Sequence, residues 1–290
     1  MIWIFNTAQV KQLFSFLLII SIAFAAGCTK NDNTAEGKLF IIGGGEKTDS
    51  LMNEMVDLSG IRKSGYMVIL PMASLTPDSS IIWAREDFMG TGIRQMPAFN
   101  FTKGGELAQE KIDSLKNARL IFIAGGDQER FMDVILNTPV IEAIRYARKN
   151  GALIAGTSAG AAVMSRKMIT GNQLKHPGLE LRYPTIEAGN MQIKEGLGFI
   201  ENAIIDQHFI KRQRLNRLIA VSIENPDEPC IGIDESTAII VSGNNARVSG
   251  RGQVVVIRNR GRIRNVYKGL LGTRDLEVNV YLPGESFTIN

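Results

Sequence analysis

The chain of 290 residues has little cysteine and little histidine. Cys28 and Cys230 are the two cysteines, and no C-x-x-C occurs, which excludes a disulfide framework. His176 and His208 are the two histidines, too few for a histidine-rich metal site. Any imidazole base is therefore one of two residues. Neither sign of charge dominates: 33 Lys and Arg against 29 Asp and Glu leave a formal net charge of +4. The resulting pI near 9.1 suits acidic ligands without demanding nucleic acid. No RNA- or DNA-binding motif is present, and Lys and Arg are dispersed outside one cluster at 211–217. Internal repeats, low-complexity tracts and long linkers are also lacking, so 38–290 reads as one domain.

The hydrophobic run at 13–24 falls short of the roughly 20 residues a membrane span needs. Lys11 precedes it, and Ala25-Ala26-Gly27-Cys28 follow. This layout is that of a signal peptide over 1–27, with a polar tether at 28–37. It resembles a bacterial lipoprotein signal, which implies lipidation of Cys28, membrane attachment and export. The alternative is an ordinary secretory signal.

What remains alternates short apolar runs with amphipathic stretches. Strands are expected at 38–42, 66–71, 94–101, 119–124 and 152–155, and helices at 52–62, 79–89, 106–117, 129–136 and 140–149. The pattern predicts an α/β fold with a doubly wound, mostly parallel sheet. After a strand at 203–206 and a helix at 211–224, short strands at 230–234, 237–241, 246–249 and 253–258 predict an antiparallel extension of that sheet.

The run from Gly151 to Ser165 stands out. An apolar strand leads into Gly156-Thr157-Ser158-Ala159-Gly160, a G-x-S-x-G, and a helix-forming stretch follows. Strand, tight turn and helix are the context of a nucleophile elbow. Ser158 is the candidate nucleophile, with the N–H of Ala159 placed to receive an oxyanion. The other glycine turns read differently: Gly43-Gly44-Gly45 does not complete a dinucleotide fingerprint and is a tight turn beside the site.

Ser158 needs a base, and the base needs an orienting group. His208 follows a strand, where sites of such sheets gather, whereas His176 sits in an exposed Lys-His-Pro-Gly turn. His208 is therefore the expected base. Asp206, Asp234 and Glu235 are the acidic candidates, and Glu235, arriving from a separate strand, is the best placed to reach the imidazole. Arg212, Arg214 and Arg217 follow His208; on the expected helix 214 and 217 share a face, and guanidinium groups can clamp a carboxylate.

Taken together, Gly125-Gly126-Asp127-Gln128, Gly156-Thr157-Ser158-Ala159-Gly160-Ala161, Asp206-Gln207-His208-Phe209 with the three arginines, and Gly232-Ile233-Asp234-Glu235-Ser236-Thr237-Ala238 resemble the motifs of cyanophycinases. These are serine peptidases of the dipeptidase E type, with a fold similar to class I glutamine amidotransferases. The resemblance implies hydrolysis of cyanophycin, a poly-aspartate bearing arginine on each β-carboxyl, to β-aspartyl-arginine dipeptides. It implies Ser158, His208 and Glu235 as the catalytic set. It further implies Gln128, Asp206, Gln207, Arg212, Arg214 and Arg217 along the substrate pocket, and Gly125, Gly126 and Ala159 at the oxyanion. No metal or cofactor is implied. Expected partners are the acidic polymer, a membrane through Cys28 and, as an assembly, a homodimer. The rival readings are an α-aspartyl dipeptidase and a surface lipoprotein that binds without hydrolysing.

Overall fold

Successive side chains of a strand point to opposite sheet faces, and here both faces are apolar, so the central strands must be covered on both sides. The computed structural model describes residues 36–179 and 183–290. The leader, the Cys28 lipidation site and most of the tether lie outside the described residues.

In chain order the elements are β1 (Leu39–Ile42), α1 (Asp49–Ser59), β2 (Met67–Leu70), α2 (Pro77–Asp87), α3 (Gln109–Lys116), β3 (Leu120–Ile123), α4 (Gln128–Ile135), α5 (Pro139–Lys149), β4 (Leu153–Thr157), α6 (Ala159–Ala162), β5 (Lys167–Gln173), β6 (Met191–Glu195), β7 (Ile204–Gln207), α7 (Leu215–Glu224), β8 (Cys230–Ile233), β9 (Thr237–Ser242), β10 (Asn245–Gly250), β11 (Val254–Asn259), β12 (Asn265–Tyr267), β13 (Leu270–Gly272), β14 (Leu276–Tyr281) and β15 (Ser286–Thr288). The main sheet runs β15-β10-β9-β1-β4-β3-β2. Its β2, β3, β4 and β1 are mutually parallel. Leu39, Ile41, Ile121, Ile123 and Ile154 pack with α4 and α5 on one face. Phe40, Ile42, Phe122 and Leu153 pack with α1 on the other. The doubly wound α/β reading therefore holds.

Three expectations need correction. Residues 94–101 form no strand: Met67 and Ile69 donate to the carbonyls of Gln95 and Pro97, but Pro97 has no N–H to return, and a single bridge at Ala98 results. The helix expected at 211–224 starts at Leu215, because Gln213 has φ 52° and a helix cannot run through it. The C-terminal strands do not all extend one sheet. β9, β10 and β15 join the main sheet, while β7, β8, β11 and β14 form a second sheet in the order β14-β11-β8-β7. The chain crosses from the second sheet to the first between β8 and β9, through Asp234-Glu235-Ser236. Cys230 is buried there among apolar neighbours, as its sequence context suggests.

The elbow is closely packed. A Cβ on Gly160 would stand 2.3 Å from the carbonyl oxygen of Ile123. α6 thus rides directly on β3. Gly160→Ala should destabilise the protein by about 1–3 kcal/mol, since neither backbone can retreat; urea unfolding measures this, and an unchanged midpoint would contradict the packing.

Candidate active site

Ser158 occupies the turn between β4 and α6 with φ 56° and ψ −110°, a strained conformation for a side-chain-bearing residue. Its N–H donates to the carbonyl of Ile42 at 3.0 Å, which ties the elbow to the end of β1. The hydroxyl stands half-buried at the carboxyl end of the sheet, 2.7 Å from Nε2 of His208. On the far side of the ring, Nδ1 lies 2.6 Å from Oε1 of Glu235. The order hydroxyl, imidazole, carboxylate is that of a proton relay.

Each partner arrives on strained backbone. His208 has φ 49° directly after β7, and Ser236, next to Glu235, has φ 54°. The Gly43–Gly45 turn after β1 holds both. The carbonyl of Gly43 accepts from the N–H of His208 at 2.8 Å, and that of Gly44 accepts from Ser236 at 2.9 Å. A Cβ on Gly44 would collide with the His208 ring at 2.2 Å, so only glycine admits the imidazole. The sequence signal for this turn was the glycine run itself; its role as the seat of His208 was not readable there.

Burial holds the pKa of His208 below its ordinary value; the Glu235 hydrogen bond opposes that, and the nearby charges of Arg212 and Arg214 reinforce it. The neutral ring is therefore the resting form at pH 7. The other acidic candidates have other partners. The Asp234 carboxylate accepts from the N–H groups of Ile210 and Lys211 at 3.1 and 2.9 Å, capping the turn after His208. Asp206 pairs with Arg217, whose Nε donates to Oδ2 at 2.9 Å. His176 pairs with Glu187 at 3.0 Å.

The three arginines separate by environment. Arg217 is 2% exposed, bound to Asp206 and donating to the Tyr183 hydroxyl at 2.6 Å, with its guanidinium over that ring. Burial works against its charge, and Asp206 reverses the outcome, raising its pKa. Arg214, also buried, donates to the carbonyl and side-chain oxygens of Gln207 at 2.6 and 2.7 Å. Burial and the Arg217 charge push its pKa down to about 10. Its Nε has no partner among the described residues. Arg214 also lies 3.5 Å from Asp206, Nη1 to Oδ1, whereas Arg212 is exposed and has no carboxylate partner among the described residues. The expectation that Arg214 and Arg217 share a face of one helix is corrected, because the helix begins only at Leu215: Arg217 is an internal brace within it, Arg214 stands at its N-cap position, and Arg212 precedes it. Gln128, the first residue of α4, is buried and donates to the carbonyls of Ile169 and Thr170 on β5.

The Gly125-Gly126 turn after β3 faces Ser158: a Cβ on Gly125 would lie 3.4 Å from that of Ser158. The N–H groups of Gly125 and Gly126 meet no acceptor among the described residues. Ala159 opens α6, so its N–H belongs to the unpaired first turn of a helix. A cavity of about 310 Å³ opens here, lined by Ser158, Gly44, Gly45, Gly125, Gly126, Lys47, Trp83 and Asp87 among others. Lys47, Trp83 and Asp87 did not stand out in the sequence, although Ser80, Trp83, Ala84 and Asp87 recur at helical spacing along one face of α2.

A strained serine, a buried neutral imidazole and a carboxylate at the end of a doubly wound sheet define a serine-type hydrolase. Residues 39–249 match peptidase family S51, and the chain belongs to that family; it is a serine-type peptidase. It is 33% identical over 227 residues to a cyanophycinase of Nostoc sp., covering 76% of this chain and 72% of that one. With a cyanophycinase of Synechococcus elongatus the identity is 30% over 233 residues, 78% and 69% of the two chains. Among solved structures, a peptidase from an acI-B1 actinobacterium shares the fold, with a TM-score of 0.65 at 23% identity over 87% of this chain and 97% of that one.

Two outcomes follow from this geometry. Because the pKa of His208 is lowered, the base stays neutral below pH 6.5, and reaction of Ser158 with a serine-directed phosphonate should fall only as the pH drops through that lower value. In Glu235→Gln the limb should move lower still and the plateau rate drop; a limb at or above 6.5 in the parent protein would contradict the burial argument. Arg217→Met, which strips buried Asp206 of its nearest cation and leaves it only Arg214 at 3.5 Å, should cost about 3 kcal/mol in urea unfolding.

Proposed function

We propose that this peptidase hydrolyses cyanophycin, releasing β-aspartyl-arginine dipeptides from the chain end through an acyl-enzyme on Ser158. His208 takes the hydroxyl proton while Glu235 steadies the imidazolium, and Ser158 Oγ bonds to the aspartyl carbonyl carbon. The N–H groups of Gly125, Gly126 and Ala159 receive the oxyanion. The C–N bond breaks as His208 returns the proton to the leaving amine; water, deprotonated by the same ring, then releases the acyl group.

The observation that carries this reading is the unbroken hydrogen-bonded line from Ser158 to Glu235 beside an exposed Arg212. That guanidinium suits the carboxylates of an aspartyl polymer. Gln207 and Asp206 set the position of Arg214, and Arg217 holds Asp206 in turn. Similarity to the two cyanophycinases supports the substrate class. The 24% identity over 162 residues to a Nostoc peptidase E supports, as a second reading, an aspartyl dipeptidase with the same chemistry. The short apolar run and small residues before Cys28 support export, with a lipid at that cysteine, so the polymer would be met outside the cytoplasm.

Incubation with purified cyanophycin, with mass identification of the products, tests the proposal: β-aspartyl-arginine should accumulate, and Asp-Leu should be cleaved far more slowly. Ser158→Ala should lower turnover by about 10⁴-fold or more. Cleavage of Asp-Leu with cyanophycin left intact would favour the dipeptidase reading instead.

A further inference from the structure

The cavity beside Ser158 contains an ion pair that the relay does not use. Lys47 Nζ lies 2.8 Å from Asp87 Oδ2, with both side chains largely covered. Trp83 stands one helical turn before Asp87 and is 60% exposed, an unusual position for so large an apolar ring. Ser80, Trp83, Ala84 and Asp87 line the cavity from one face of α2. The Gly44–Gly45 turn that seats His208 and Glu235 also lines it. None of Gln207, Arg212 or Arg214 lines this cavity. Ser158 therefore has two distinct surroundings: the arginine cluster near His208, and this chamber, which joins a cation, an anion and an aromatic face.

A polymer cleaved at Ser158 must place groups on both sides of the nucleophile. The chemistry of the chamber matches one such group closely. Each arginine of the proposed substrate is linked through its α-amino nitrogen, and so carries a free carboxylate and a guanidinium a few bonds apart. Lys47 offers an ammonium to the carboxylate. Asp87 offers a carboxylate to the guanidinium, and the indole of Trp83 offers it a face. Within the chamber the two protein charges neutralise each other; a zwitterion would replace each partner with one of the same sign, leaving the net charge unchanged. The Gly44 wall sets the chamber next to the ring that protonates the leaving amine, so it belongs to the leaving side of the bond.

Resting on the cyanophycin reading above, we propose that Lys47, Trp83 and Asp87 form the leaving-group subsite, which recognises the arginyl side group of the unit that follows the cleaved bond. It makes the enzyme prefer a chain in which that unit is arginylated over one in which it is bare aspartate.

Two substrates with the same acyl unit separate the effects: cyanophycin itself, and an anilide of aspartate bearing arginine on its β-carboxyl, which has no arginyl group on the leaving side. Trp83→Ala and Asp87→Asn should each lower kcat/KM on the polymer by about tenfold more than on the anilide, mainly through KM. Trp83 is exposed, and Asp87→Asn keeps the side-chain shape. As a binding readout, the full-length Ser158→Ala protein is titrated with a two-unit fragment of cyanophycin. Indole emission should shift with saturation, no shift should follow tri-aspartate, and the Ser158→Ala, Trp83→Phe double variant should show none. Equal losses on both substrates, or an emission change that persists without Trp83, would overturn the subsite while leaving the peptidase reading intact. A parent enzyme inert on cyanophycin would overturn the substrate reading and the subsite with it.

Discussion

The site depends on a meeting of three chain turns at one glycine hairpin. β1 ends in Gly43-Gly44-Gly45, β7 ends in His208, and the crossing from β8 to β9 carries Glu235. The carbonyls of Gly43 and Gly44 accept from His208 and Ser236, so the base and the acid are held by backbone hydrogen bonds to the same two peptide units. Because Gly44 lacks a side chain, the imidazole occupies the room a methyl would take. The elbow joins this cluster through the Ser158 N–H on Ile42. Ser158, His208 and Ser236 all keep a left-handed backbone, which costs energy at each and persists because the surrounding contacts over-determine it.

Beneath that surface lies a second layer that sets the electrostatics. Asp206 and Arg217 are both buried and bound to each other, and Tyr183 takes a further guanidinium N–H. A pair of this kind adds little net stability, since both charges have left water. Its value is geometric: it fixes the end of β7 to the first turn of α7, and so fixes the strained loop between them. Burial keeps the His208 ring neutral and ready to accept a proton, and the positive field of Arg212 and Arg214 adds to that effect. The same field suits a substrate rich in carboxylate.

Much of the fold was legible because buried parallel strands are short, apolar and bounded by glycine. β1, β2, β3 and β4 could all be read that way, and so could the elbow, whose strand-turn-helix context is local. The stretch at 94–101 misled because it is apolar in the same manner; Pro97 breaks its ladder, an effect of one missing donor. The helix before Leu215 misled because nothing in the composition of 211–214 announces that Gln213 turns left-handed. That turn is stabilised from outside, by the Asp234 carboxylate one helix and one strand further along the chain. For the same reason the roles of Asp234 and Glu235, adjacent and equally acidic, could be ranked but not decided without the turn that separates them.

Sequence alone determined which chemistry was available: one serine on an elbow, two histidines, and carboxylates at strand ends. Those features are local, set by residue type and by the period of hydrophobic burial, and they survive without knowledge of neighbours. Tertiary structure decided how the arginines divide into brace, cap and exposed cation, and which helix face closes the chamber beside Ser158. Those outcomes depend on which residues the folded chain brings into contact, some near in sequence, as Arg214 and Gln207, and others far apart, as Arg217 and Tyr183 or Lys47 and Asp87; chain order by itself does not say which pairs meet.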